Sequence, residues 1–136
     1  MMKESATKNG TNTGVSMVCP YLMVKSVEKQ IEFMQHVFQA RLREKETHQQ
    51  ADGFIGHGEV WVGHTVIMMG RASKQFPARQ SMNYVYVDDP DVVYARALKV
   101  GATAVMEPTD QPYGNRSGGF IDLHGNEWWI ARPLKK

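Results

Sequence analysis

The chain has one cysteine, Cys19, among 136 residues. A single thiol forms no intrachain disulfide, so a reducing, cytoplasmic setting is the expectation. Long apolar runs are missing too: nothing approaches the roughly 20 residues of a membrane helix, and no membrane partner is expected. Charge of one sign is scarce, with 16 Lys and Arg against 14 Asp and Glu. Lys and Arg are scattered, with no basic stripe interleaved with aromatics, so no nucleic-acid partner is expected. Residues 1–16 are rich in Ser, Thr, Asn, Gly and Lys and lack the apolar core of a signal peptide; they read as a mobile tail. What is present is ordinary globular composition, 42% hydrophobic and 22% charged. It fits one domain over residues 17–136, able to bury roughly two thirds of its unfolded surface.

That domain repeats itself. Residues 118–132 read GGFIDLHGNEWWIAR: a strand, a turn at His124-Gly125-Asn126 and a second strand. Residues 57–71 read HGEVWVGHTVIMMGR, with a turn at Gly63-His64. Each hairpin closes a longer run of strand, helix and strand. Module one covers 17–71, a linker 72–81, and module two 82–133. In module one, a strand over Val18–Val24 precedes a helix capped by Ser26, with Val27, Ile31, Met34 and Phe38 on one stripe. Arg41–His48 reads as a charged strand. In module two, Met82–Val87 is a strand. Asp88 or Asp89 then caps a helix opened by Pro90, lined by Val93, Ala97 and Val100, and ended by Gly101. Thr103–Met106 is a strand, and Pro108–Ser117 reads as a long loop.

Strand side chains alternate between faces, so parity sorts them. Leu22, Val24, Val60, Val62, Ile67, Met69, Val85, Val87, Trp128 and Ile130 fall on the sides expected to meet the helices. The opposite faces carry Cys19, Tyr21, Met23, His57, Glu59, Trp61, Met68, Met82, Tyr84, Tyr86 and Trp129. A face so aromatic, with few polar groups, suits a small-molecule cleft. A dimer interface has the same composition and is the alternative. Eleven such residues are too many for a soluble monomer to leave uncovered, so a homodimer is expected.

His57 and Glu59 lie two apart on one face, with Cα atoms about 6–7 Å apart. They are the catalytic candidates, as an acid/base pair or a polar anchor; a self-satisfied hydrogen-bonded pair is the alternative. Arg116 follows Tyr113-Gly114 in a Gly-rich loop. It suits an anionic ligand group, or else an ion pair with Asp110 or Asp122. His36, His48, His64 and His124 are read as solvated. Cys19 has no activating base nearby in sequence and reads as a buried thiol.

The segments PYLMV, HGEVWVGHTVIMM and YGNRSGGFIDLHGNEWWIARP resemble the glyoxalase / bleomycin-resistance / extradiol-dioxygenase superfamily, the vicinal oxygen chelate proteins, over residues 18–133. The resemblance implies an α+β fold of two paired βαβββ modules forming a curved mixed sheet around a cleft. It also implies metal ligands near the start of each module's first strand and on its last strand. Here those positions hold Cys19, Met68, Met82 and Trp129, which do not suit a hard divalent ion. No metal and no cofactor are expected. The implied function is metal-independent binding of a small aromatic or amphipathic molecule, as in sequestration of a drug or toxin. Its ligand residues would be Tyr21, His57, Glu59, Trp61, Met68, Met82, Tyr84, Tyr86, Tyr113, Arg116 and Trp129. The alternative is a lyase, isomerase or dioxygenase of the same superfamily acting on a small oxygenated substrate.

Overall fold

A computed structural model describes residues 15–135. The expected tail lies outside the described residues except for Val15 and Ser16, and Val15 is buried. Module one contains β1 (Tyr21–Val24), α1 (Val27–Phe38), β2 (Arg41–Leu42), a 3-10 turn (Glu44–Glu46), β3 (His48–Gln49), β4 (Ile55–Val62) and β5 (Thr65–Arg71). Module two contains β6 (Met82–Tyr86), α2 (Pro90–Lys99), β7 (Thr103–Asp110), β8 (Asn115–Ile121) and β9 (Glu127–Pro133). The strands form two mixed sheets, ordered β1-β5-β4-β2, with β3 also on β4, and β6-β9-β8-β7. In both, the first strand pairs in parallel with the last and the helix makes the crossover.

Local chemistry explains the elements. The Ser26 side chain accepts from the Lys29 amide at the start of α1. Gln39 ends that helix in the left-handed region at φ 55°. Asp89, not Asp88, caps α2 by accepting from the amides of Asp91 and Val92. The Gly63-His64 turn fixes the first hairpin, so Trp61 pairs with Val66 and Glu59 with Met68, as the two-residue turn requires.

Two expected segments differ. Arg41–His48 is not one strand but two short ones around the 3-10 turn. The long loop over Pro108–Ser117 shrinks to residues 111–114, because β7 continues to Asp110 and β8 begins at Asn115. β7 is the last strand of its sheet, where a proline lacking an N–H is tolerated. The register is irregular between Met106 and Thr109, around Pro108. Gly118 lies against this irregularity, and a Cβ there would sit 2.8 Å from the Met106 carbonyl oxygen and the Pro108 nitrogen.

The core is single and lies between the modules. α1 buries Val27, Gln30, Ile31, Phe33, Met34 and Val37, a wider stripe than its heptad spacing predicts. The extra width serves module two, where Phe33 packs on Phe120 with ring centroids 6.2 Å apart; the expected Phe38 also packs there, 6.3 Å from Phe120 and 5.3 Å from Trp128. Leu22, Val24, Val60, Ile67 and Met69 of the first sheet share this cluster with Phe120, Trp128 and Ile130 of the second. Both aliphatic sheet faces therefore turn to one interior. The two aromatic faces lie on the far side of each sheet from it.

A buried polar clamp fastens the modules. Asp122 accepts from the Gln30 amide at 2.9 Å, from Trp128 Nε1 at 2.9 Å, and from the backbone N–H groups of His124 and Asn126. Arg96 adds a second tie by donating through Nε and Nη2 to the Val37 carbonyl at the end of α1.

Candidate functional site

The open face of the first sheet carries a connected polar chain. Arg43 Nη1 lies 3.2 Å from Glu59 Oε1. Glu59 Oε2 lies 2.8 Å from His57 Nε2, and His57 Nδ1 lies 3.0 Å from the Tyr21 hydroxyl. The inner end is closed, since Glu59 is only 7% exposed, whereas Tyr21 is 50% exposed. Strand register builds this row: Tyr21 sits opposite Met68, and Met68 opposite Glu59. Gly70 makes room for it. A Cβ there would come within 2.9 Å of the Tyr21 ring and hydroxyl and 3.0 Å of Met23 Sδ. Arg43 also lies over the Trp61 ring, 5.0 Å from its centroid, at cation–π distance. Buried charges need such pairing: Glu59 has a cation on one oxygen and an imidazole on the other.

The open face of the second sheet is aromatic over a floor of small residues. Tyr84 pairs with Trp129, and Trp129 with Gly119. Beside them, Tyr86 pairs with Ala131, and Ala131 with Ser117. A Cβ on Gly119 would meet the Trp129 ring carbons at 2.9–3.0 Å, so the indole lies flat across that position. Three of the polar tips have partners. Trp129 Nε1 donates to Glu127 at 2.6 Å, Asn115 Nδ2 donates to the Tyr84 hydroxyl at 3.0 Å, and the Tyr113 hydroxyl bonds Ser117 Oγ at 2.9 Å. The Tyr84 and Tyr86 rings meet edge to face at 5.5 Å. Partial burial raises the Tyr84 phenol pKa, against the opposing pull of the Asn115 amide. Met82, Tyr86 and Tyr113 are each about two-thirds exposed, at 69%, 66% and 66%.

The eleven ligand residues read from the sequence thus divide. Tyr21, His57, Glu59, Trp61 and Met68 share the first face. Met82, Tyr84, Tyr86, Tyr113 and Trp129 belong to the second. Arg116, near the start of the inner strand β8, is engaged away from both faces' aromatic groups, donating to both carboxylate oxygens of Asp91 at 2.8 and 2.9 Å and to Asp110 at 3.0 Å. These carboxylates raise the Arg116 pKa further and hold Asp91 below its usual range. Asp122, named in the sequence as a partner for Arg116, belongs instead to the interior clamp.

Arg43, Asn115, Glu127, Ser117 and Gly119 complete the faces and were not singled out in the sequence. Parity from β9 puts Glu127 on the face of Trp129, which is a signal for that residue. Arg43 lies between β2 and the 3-10 turn, outside any strand, and its alignment beside Glu59 has no local signal.

Two other expectations change. His124 is not a solvated turn residue. Its Nδ1 lies 2.8 Å from Gln30 Oε1 and its Nε2 accepts from the Ser26 amide at 3.3 Å. Burial pushes its pKa down, with Lys29 and Lys25 adding to that and Asp122 opposing it. Cys19 is half-buried rather than buried, with Sγ 3.4 Å from the Ser16 carbonyl oxygen.

The positions that the resemblance assigns to metal ligands do not fit a divalent ion. Met68 and Met82 offer only thioethers. Trp129 offers an N–H donor, already given to Glu127. Among the described residues no three His, Cys, Asp or Glu side chains gather as a ligand set.

Known proteins share this fold. TioX from Micromonospora sp. ML1 is 26% identical and superposes with a TM-score of 0.71, over 86% of this chain and 98% of that one. A superfamily member from Sphaerobacter thermophilus, 18% identical, shares the fold at a TM-score of 0.66 over 83% and 93% of the two chains. An uncharacterized protein of Mycobacterium tuberculosis strain H37Rv is 27% identical over 128 residues, 86% of this chain and 74% of its own. A family model matches residues 15–130, and the chain therefore belongs to the Glyoxalase/Bleomycin resistance protein/Dioxygenase superfamily.

Proposed function

We propose that this protein binds a small, planar, partly polar molecule without a metal, in a cleft made by a homodimer. The observation that carries the reading is the pair of open sheet faces. One is a polar row ending at Tyr21, the other an aromatic shelf, and both lie on the far side of their sheets from the shared core. Two copies related by a two-fold axis would set the first face of one against the second face of the other, twice over. The large exposed aromatic and apolar surface of Tyr21, Met82, Tyr84, Tyr86 and Tyr113 would then be covered, leaving a pocket with aromatic walls and a few polar groups. Sequestration of a drug or toxin is the biological role this chemistry suits, and a cytoplasmic setting agrees with the single thiol.

Tryptophan fluorescence tests the binding, because Trp61 and Trp129 stand on the two faces while Trp128 is buried. Planar aromatic compounds should quench it saturably, one molecule per chain, and emerge unchanged. Light scattering at micromolar concentration should report twice the 15.4 kDa of one chain. Absence of quenching across a broad set of such compounds, or a clean monomer, would contradict the proposal. A lyase, isomerase or dioxygenase reading draws on one specific observation, the 2.8 Å His57–Glu59 contact, and turnover of a bound compound would favour it.

A further inference from the structure

We propose that the Tyr21 phenol is the proton-accepting end of a Tyr21–His57–Glu59 relay, and that the ligand it serves is a phenol or heteroaryl alcohol bound as its anion. This rests on the cleft described above and names the chemical class that cleft takes.

The direction of the relay follows from donor and acceptor rules. The Glu59 carboxylate only accepts, so the hydrogen in the 2.8 Å contact sits on His57 Nε2. In the neutral form of the imidazole, the Nδ1 lone pair accepts from the Tyr21 hydroxyl 3.0 Å away. Tyr21 gives its own hydrogen inward, so its oxygen lone pairs face outward, and this residue is half exposed. A group placed there is met by an acceptor, and a hydroxyl satisfies it.

The proton balance closes without any co-reactant. The ligand O–H breaks and a new O–H forms on Tyr21 as the Tyr21 hydrogen passes to His57 Nδ1. The ligand becomes an anion and His57 an imidazolium. Arg43 and Glu59 cancel at rest, so after transfer the row carries one positive charge opposite the ligand's negative one. Arg43 keeps Glu59 Oε1, which leaves Oε2 fixed on His57 throughout. Gly70 keeps the Tyr21 ring beside His57, with ring centroids 5.7 Å apart. Tyr21 touches the ligand; His57 is a positioning residue that acts through it.

The probe is p-nitrophenol, whose phenolate is coloured, held at a pH just below its own pKa. Bound to the wild-type protein, its phenolate-to-phenol ratio should exceed that in buffer by about tenfold, the effect of one pKa unit. Tyr21→Phe and His57→Gln should each return the bound ratio to the buffer value, with folding checked by circular dichroism. His36→Ala, an exposed helix histidine, should keep the wild-type ratio. A raised ratio that survives Tyr21→Phe would overturn the relay. The methyl ether p-nitroanisole separates the two readings in wild-type protein. If it quenches tryptophan while p-nitrophenol binds with an unshifted ratio, the relay is wrong and the cleft stands. If neither compound binds, the cleft fails and the relay with it.

Discussion

On the first sheet the row across the open face reads Tyr21, Met68, Glu59; at the matching register of the second it reads Tyr84, Trp129, Gly119. One row further along, Gly70 and His57 correspond to Ala131 and Ser117. The strand order is the same in both sheets, and the helix-facing sides are alike: Leu22, Val24, Val60, Ile67 and Met69 answer Val85, Phe120, Trp128 and Ile130. Apart from the extra strand β3 and the 3-10 turn of module one, the difference lies on the open faces. Where module one places a carboxylate and an imidazole, module two places glycine and serine. Where module two lays an indole flat, module one has a methionine. The inner faces are held to one chemistry by packing density. The open faces have no such restriction, so one plan yields a polar face and an aromatic face.

The strongest way to break the comparison is to cut the clamp that makes two modules one body. Asp122→Ala leaves the Trp128 indole N–H and the Gln30 amide buried without their acceptor. The loss should be about 3–5 kcal/mol, seen as a lower urea midpoint. Because Gln30 belongs to module one and Trp128 to module two, both should unfold in a single transition. Two separated transitions would mean that the modules stand alone. Next comes Gly119→Ala, which begins to convert the aromatic face toward the crowding of the first. Its Cβ would overlap the Trp129 ring, costing about 1–3 kcal/mol and displacing the indole. Fluorescence emission should shift; an unaltered spectrum and midpoint would show that the ring is not seated on Gly119.

Acid should loosen the seam between modules through His124. Its Nε2 accepts from Ser26 at the start of α1, and a proton there removes the acceptor. The folded pKa lies below the ordinary 6.5, so the unfolded chain binds more protons between the two values. This contribution to stability is complete above 6.5 and is lost as pH falls through that window. His124→Gln should flatten the slope of stability against pH there, while an unchanged slope would discount the role. The smallest effect belongs to Arg116→Ala. Its ion pairs with Asp91 and Asp110 are solvent-screened, so the urea midpoint should stay within error.

Much of this was legible in the sequence where the signal is local. The Gly63-His64 turn dictates the Trp61–Val66 and Glu59–Met68 register, and parity then sorts each face. Pro90 after Asp89 announces α2. Where contacts decide, the sequence is silent or misleading. Pro108, Thr109 and Asp110 have loop chemistry, yet they sit in β7 because an edge strand needs few of its N–H groups. His124 lies in a turn, as its neighbours foretell, but it reaches across 94 positions to Gln30. Arg43 meets Glu59 only because the short β2 docks on β4. No pattern around residue 43 announces that docking.

Subunit complementation tests the central claim most directly, that one site is built from unlike faces of two copies. Trp61→Ala damages the first face and Trp129→Ala the second. Each variant purified alone should bind planar aromatic compounds poorly, since each of its sites has one damaged face. Co-expressed, the two should form mixed dimers in which one site joins two damaged faces and the other joins two intact ones. Random pairing then restores about a quarter of wild-type capacity at wild-type affinity. Binding that stays at the level of the separate variants would contradict the account, because it would place both faces of a working site in the same chain.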